Sequence, residues 1–222
     1  MDVGGSVKLR GDAEFERVKI GGSLSVDGSL RVRDELRIGG SAKISGDLRA
    51  GRVTVGGTIS VDGAVRAKEV TVGGSIKAGR VEAELLEIGG SLKAEEVAAA
   101  EMDLSGSARC RVARAVRARI SRKSKAKCKV VARYVEVGRD AEVDAVVAER
   151  VVVRRGAEVD VVEAVSARVE RGADIGELRY VESADVDEEA YVGRLVKVEG
   201  LSLNLDAELS ELEKGGGAEE RY

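Results

Sequence analysis

Two cysteines, a scatter of carboxylates and one long acid-free run of lysines and arginines are the groups in this chain with chemistry to offer. There is no histidine, so the commonest side chain for general acid–base work and metal ligation near neutral pH is missing. A metal site would have to be all-carboxylate, and no calcium-loop spacing is present. The aspartates Asp27, Asp34, Asp47 and Asp62 stand beside glycines or among charged neighbours, where they read as solvated turn residues. No catalytic residue, cofactor site or metal site is expected, and the chain reads as a non-enzyme.

Cys110 and Cys128 are 18 positions apart. Three readings stay open for them: buried free thiols that fill core space, a disulfide between neighbouring segments, and a metal or redox role. The basic run is more distinctive. Between Leu104 and Val135 there are 11 basic residues and no acid. The segment before it carries 15 basic against 17 acidic residues, and the segment after it 11 against 23. Within the run Arg109 and Arg111, Arg117 and Arg119, and Lys123, Lys125, Lys127 and Lys129 alternate with other residues. On an extended strand such residues share one face, so an outward basic belt is expected. Its candidate partners are an anionic membrane surface, an acidic protein partner or the acidic half of a neighbouring copy. Nucleic acid is a poorer fit, because no aromatic residue is interleaved in the run before Tyr134 to stack on bases.

The element that must position these groups is a short repeat. Gly-Gly recurs at Gly4-Gly5, Gly21-Gly22, Gly39-Gly40, Gly56-Gly57, Gly73-Gly74 and Gly89-Gly90, about every 17 residues. A period this short is the signature of a solenoid. Between glycine pairs the apolar residues come in alternating couples: Leu24 and Val26, Leu30 and Val32, Leu36 and Ile38, then Ala42 and Ile44, Leu48 and Ala50, Val53 and Val55. Alternation places each couple on one face of a short strand, and a helical period of 3.6 would scramble the set within one circuit. Three short strands per circuit and many small inward residues (Ala, Val) predict a narrow triangular cross-section. The phase continues through Gly106, Gly138, Gly156 and Gly172, although around Val112–Val131 and Val146–Val165 inside and outside are hard to tell apart. About twelve coils follow, a rod about 57 Å long at the usual spacing between strands.

The repeat bounds what the ends do. A solenoid closes sideways but not lengthwise, so its terminal coils present unpaired backbone and a cross-section of core. Only Met1 and Asp2 precede Val3-Gly4-Gly5, so Val3, Val7, Leu9 and Phe15 are the expected N-terminal assembly surface. At the other end Leu201, Leu203 and Leu205 suggest a last alternating strand, and Asp206 an N-cap for a short helix reaching Lys214 whose Leu209 and Leu212 share a face. With Leu205 they are the expected cap over the last coil. The domain expectation is one β-helix over 1–200, a last strand and capping helix over 201–214, and a flexible tail over 215–222.

Composition adds a setting. Glutamine, histidine and proline are absent, Asn204 is the one asparagine, and 35% of residues are charged, a pattern of thermophile proteins. No secretory signal or long apolar run appears in the sequence, which makes a cytoplasmic location the default, with a peripheral position at the inner membrane face open to the basic belt.

The run from Val72 to Val97, VGGSIKAGRVEAELLEIGGSLKAEEV, with its apolar-polar-apolar triplets and glycine corners, resembles the bactofilins, the polymer-forming cytoskeletal proteins, and in particular their archaeal relatives. The pattern extends over about residues 3–200. What the resemblance implies is a right-handed triangular β-helix that joins end to end into nonpolar filaments without nucleotide. Two departures are visible: the tail that bactofilins commonly carry before the first coil is missing from this sequence, and the repeat runs to about twice the usual number of coils.

Overall fold

The computed structural model describes residues 1–213. They form a parallel β-solenoid of about twelve turns in which nineteen strands join in one continuous sheet, followed by a single helix, Leu205–Glu213. Every pairing between strands is parallel and links one coil to the next, so each strand is backed by the strand about 17 residues away. The tail predicted for 215–222 lies outside the described residues.

Each coil has three stretches, which stack into three sides of the rod. In the second coil these are the strand Ser23–Asp27 on side one and, within the strand Leu30–Ile38, residues 30–32 on side two and 35–38 on side three; the register against neighbouring coils shifts between the last two. Counted on side one, the coils begin at Ser6, Ser23, Ser41, Thr58, Ser75, Ser91, Ser107, Lys125, Glu142, Glu158, Asp174 and Tyr191, each of which stacks on the next. The inward couples predicted above, from Leu24 and Val26 to Val53 and Val55, are buried in one core running the length of the rod. With so little volume available, the core is made of Val, Ile, Leu and Ala, and burial is spread along the axis.

The glycine pairs have a specific task. A Cβ on Gly57 would run into the backbone carbonyl of Gly40, and the same collision recurs at Gly74, Gly90 and Gly106 against the coil before. From Gly22 to Gly90 the second glycine of each pair is therefore set by close approach between coils, with no left-handed conformation involved. From coil eight onward the corner changes type. Lys123 (φ 59°), Asp140 (φ 55°), Gly156 (φ 68°) and Gly172 (φ 68°) now occupy the left-handed region, where Gly and Asp are the more tolerant residues. Ser105-Gly106 is the last corner of the close-approach type against a glycine pair, and beyond it the solenoid goes on with left-handed corners.

Outside, charged side chains pair between coils: Arg17 with Asp34 (2.5 Å), Arg33 with Glu14 (2.8 Å), Arg52 with Glu69 (2.7 Å), Arg66 with Glu82 (2.7 Å), and Arg154 with both Glu136 (2.9 Å) and Glu170 (2.7 Å). Each exposed pair contributes only about 0–1 kcal/mol. As ladders along the rod they add up and resist heat better than isolated pairs.

The C-terminal segment corrects the sequence reading. The last strand is Tyr191–Lys197, and Leu201, Leu203 and Leu205 form no strand. The helix begins at Leu205, and its N-cap is Asn204, whose Oδ1 accepts from the Ala207 N–H at 3.2 Å. It does not cover the last coil. It folds back along the rod and docks on the outer surface of side two, where Leu205 and Leu209 pack on Val112, Val131 and Val147, with Leu201, Leu203 and Leu212 around them.

Candidate functional site

The residues singled out from the sequence lie at the two rod ends, along the basic run and on the docked helix.

At the N-terminal end the short strand Asp2–Val3 pairs with Lys19 and Ile20, covering side three of the first coil. Val3, Val18 and Ile20 are buried as a result. Sides one and two of that coil have no strand over them among the described residues, and Val7, Leu9, Ala13 and Phe15 are only half-buried, although their equivalents one coil further in, Leu24, Val26, Leu30 and Val32, are fully enclosed. Val3, Val7, Leu9 and Phe15 therefore converge on one terminal surface, with Val3 already covered and the other three partly open. At the C-terminal end the last coil supplies sides one and two, through Tyr191–Lys197, and stops. Leu195 lies in register over Leu178; the inner residue is 0% exposed and the outer one 52%. Tyr191 beside it is 64% exposed. No sequence motif marks Leu195. Its signal was its place as the last inward leucine of the repeat.

The basic residues do not form one belt. Arg109, Lys125 and Lys127 are on side one, where Ser107 stacks on Lys125 and Arg109 on Lys127. Arg117 and Arg119 are on side three, between Glu101 and Asp103 of the coil before and Tyr134 and Glu136 of the coil after. Lys129 is on side two, stacked between Val112 and Ala145, and Arg111 and Lys123 are at corners. Alternation alone cannot distinguish the sides, because a strand that turns a corner keeps its inward and outward phase while changing direction. Several of the charges are also neutralised locally: Arg111 pairs with Glu96, Lys125 with Glu142 (2.6 Å) and Arg122 with Asp140 (3.7 Å).

The helix takes up two further arginines of the run. Arg114 donates from Nε to Glu208 at 2.5 Å. Arg133 donates to Glu213 (2.7 Å) and Asp206 (2.5 Å) on the helix and to Glu149 on the rod. These three carboxylates, Glu213 foremost, push the already high pKa of the Arg133 guanidinium further up. Upstream, the backbone N–H of Ser202 donates to the buried carboxylate of Glu163, with Arg179 at 4.0 Å. The helix itself was expected from the sequence; its seat on the valine patch and these ionic clasps were missed, yet a signal was there. Val112-Ala113, Val130-Val131 and Val146-Val147 are adjacent apolar residues on a strand that should alternate. The ambiguous register at these coils was the footprint of a second, outer apolar contact.

Cys110 and Cys128 sit on adjacent coils as free thiols, Cys128 buried and Cys110 half-buried. Interaction with Cys110 and then burial push the Cys128 thiol well above its ordinary value, so it stays protonated and inert near neutral pH. Between them the coils differ by one residue, at the register shift after Arg109. Among the described residues no group of three or more His, Cys, Asp or Glu is disposed to hold a metal ion, and no helix is long and apolar enough to cross a membrane. The groove beside the helix, about 440 Å³, is open and lined by Arg–Glu pairs and small apolar side chains.

Against known families, residues 18–96 match the bactofilin family, described as polymer-forming cytoskeletal. The chain carries a bactofilin domain. The matched stretch runs from side three of the first coil to Glu96 in the sixth, the part of the rod with glycine-pair corners and cleanly alternating strands. The left-handed corners, the valine patch and the helix all lie beyond it. No curated protein and no solved structure matches the chain. The bactofilin domain and the solenoid together support a structural scaffold role.

Proposed function

We propose that this bactofilin-domain protein is a non-catalytic scaffold that self-associates end to end through its terminal coils, without nucleotide, and that residues 1–200 act as one elongated unit in doing so. The observation that carries this reading is the pair of unfinished core cross-sections: half-buried Val7, Leu9 and Phe15 at one end, and Leu195, 52% exposed over a fully buried Leu178, at the other. Stacking a second rod on either end satisfies edge N–H and C=O groups and removes apolar surface worth about 25 cal/mol per Å². Because the helix lies on the side of the rod, it leaves the last coil free to join. The same geometry favours a freely extending polymer, placed by default in the cytoplasm.

The test is to follow assembly of the purified protein by analytical ultracentrifugation without nucleotide, comparing the parent with Leu9→Asp and Leu195→Glu. Each substitution puts a charge on one terminal cross-section, so each should shorten assemblies, and the double variant should sediment as a unit with no end-joined partner. Circular dichroism confirms folding. Assembly sizes unchanged in both folded variants would overturn the reading.

A further inference from the structure

Side one of the rod carries two outward columns, and both change sign at the same place. The first column is Ser75, Ser91, Ser107 and Lys125 in coils five to eight, then Glu142, Glu158 and Asp174 in coils nine to eleven. The second is Lys77, Lys93, Arg109 and Lys127, then Asp144 and Asp160. Along the basic stretch the outward positions are hydroxyl or basic, and along the acidic stretch they are acidic. Lys77, Lys93, Arg109 and Lys127 have no ion-pair partner among the described residues, nor do Asp144, Glu158, Asp160 and Asp174; across the junction only Lys125 and Glu142 pair. Like charges stacked one coil apart repel, so both blocks are held at a cost that a partner of opposite sign would relieve.

We infer that side one is a lateral interface for a second copy of this chain, lying antiparallel, with a two-fold axis passing through the sign change between coils eight and nine. The partner is another copy because the face carries its own complement: a two-fold axis along the strand direction lays each basic coil on an acidic coil of the other rod. Lys125 and Lys127 then meet Glu142 and Asp144, Ser107 and Arg109 meet Glu158 and Asp160, and Ser91 and Lys93 come within reach of Asp174. A flat anionic surface such as a membrane fits less well, since a rod lying on it through side one would press its acidic coils against that surface. The rim is less favourable at one point, where Arg139 approaches Arg122, though Asp140 beside Arg122 tempers this. Contacts of this kind are solvated, so the pairing is electrostatic and salt-sensitive. It does not rest on end joining, and the residues involved are clear of both terminal cross-sections.

Zero-length carbodiimide crosslinking of the full chain, with peptide mapping, reads the geometry directly. Within one rod Lys93 and Asp174 are five coils apart, about 24 Å at the spacing between strands, so a Lys93–Asp174 crosslink forms only between molecules, and found without crosslinks of Lys77 to Glu142 or Glu158 it identifies the antiparallel pair. A crosslink of Lys77 to Glu142, which the antiparallel pair holds three coils out of line, would mean parallel, staggered rods and overturn the inference. Sedimentation velocity tests the charges at low salt, where screening is weak, and about 0.5 M, where the screening length falls to about 4 Å. Lateral pairs should be lost at high salt, lost in Lys93→Glu/Arg109→Glu/Lys127→Glu, lost in Glu158→Lys/Asp160→Lys/Asp174→Lys, and regained when the six changes are combined, since that reverses both blocks. Failure of the combined variant to regain pairing, or anionic vesicles bound by the parent while no lateral pair forms at low salt, would contradict it.

Discussion

Gly5 and Gly74 have the same sequence context and opposite physical situations. A Cβ on Gly74 would strike the Gly57 carbonyl of the coil below, whereas a Cβ on Gly5 meets nothing within 4 Å. Gly74→Ala should therefore destabilise the fold by about 1–3 kcal/mol, the range for local backbone strain, and Gly5→Ala should leave the melting curve of the unassembled rod unchanged; thermal denaturation by circular dichroism measures both. The cysteines make a second contrast. Cys128 is buried, with its thiol pKa pushed up, whereas Cys110 is half-buried, so a thiol alkylating agent near pH 8 should label Cys110 well before Cys128 in the folded protein, and both equally after unfolding. Equal labelling in the native state would mean that this coil opens readily. At this scale the sequence was informative about inward and outward residues and uninformative about sides. Leu24, Ile44 and Val70 could be assigned to the core from alternation alone, but Arg117 and Lys125 looked alike until the corners between them placed one among acids on side three and the other on side one.

The C-terminal helix is an element whose position depends on tertiary contacts. Nine residues are too few to be helical alone, so Leu205–Glu213 folds only because Val112, Val131 and Val147 offer an apolar seat and Arg114 and Arg133 clasp its carboxylates. Leu209→Asp should release it. Hydrogen exchange over 201–213 is then expected to rise to that of an unstructured peptide, while the solenoid melts within a few degrees of the parent; loss of protection throughout the rod would show that the helix is integral to the fold. Residues 209 and 212 did announce a shared helical face in the sequence. What they dock against did not follow, because the seat is assembled from outward valines three coils deep, contributed by segments about 60 to 100 positions away. The ion-pair ladders act at the same scale. A hydrogen bond from Arg154 holds the Glu170 carboxyl below its ordinary value, and Arg80 does the same for Glu96. Because the folded pKa lies below the unfolded one, both pairs stabilise the fold above about pH 4.5 and lose that contribution as pH falls through the lowered folded values. Thermal midpoints should decline as pH drops below about 4.5, and the double variant Glu96→Gln/Glu170→Gln should decline less steeply than the parent.

Over the whole molecule, a core only one side chain deep runs from Val18 to Leu178 with no break, and what distinguishes the chain is the way its surfaces are left. The ends carry unfinished core, side two is covered by the chain's own helix, and side one divides into a basic and an acidic block. The glycine-pair half, which contains the match to the bactofilin family, gives the scaffold, and the half beyond it adds the helix and the acidic complement. The claim on which the account turns is that unfinished ends make rods join. Electron microscopy of the purified protein without nucleotide, at a salt concentration high enough to screen side-by-side contacts, tests this most directly. End joining predicts unbranched filaments one rod wide with an axial repeat of about 57 Å, the length of twelve coils at the spacing between strands. Discrete rods of that single length, unchanged on raising protein concentration, would contradict it.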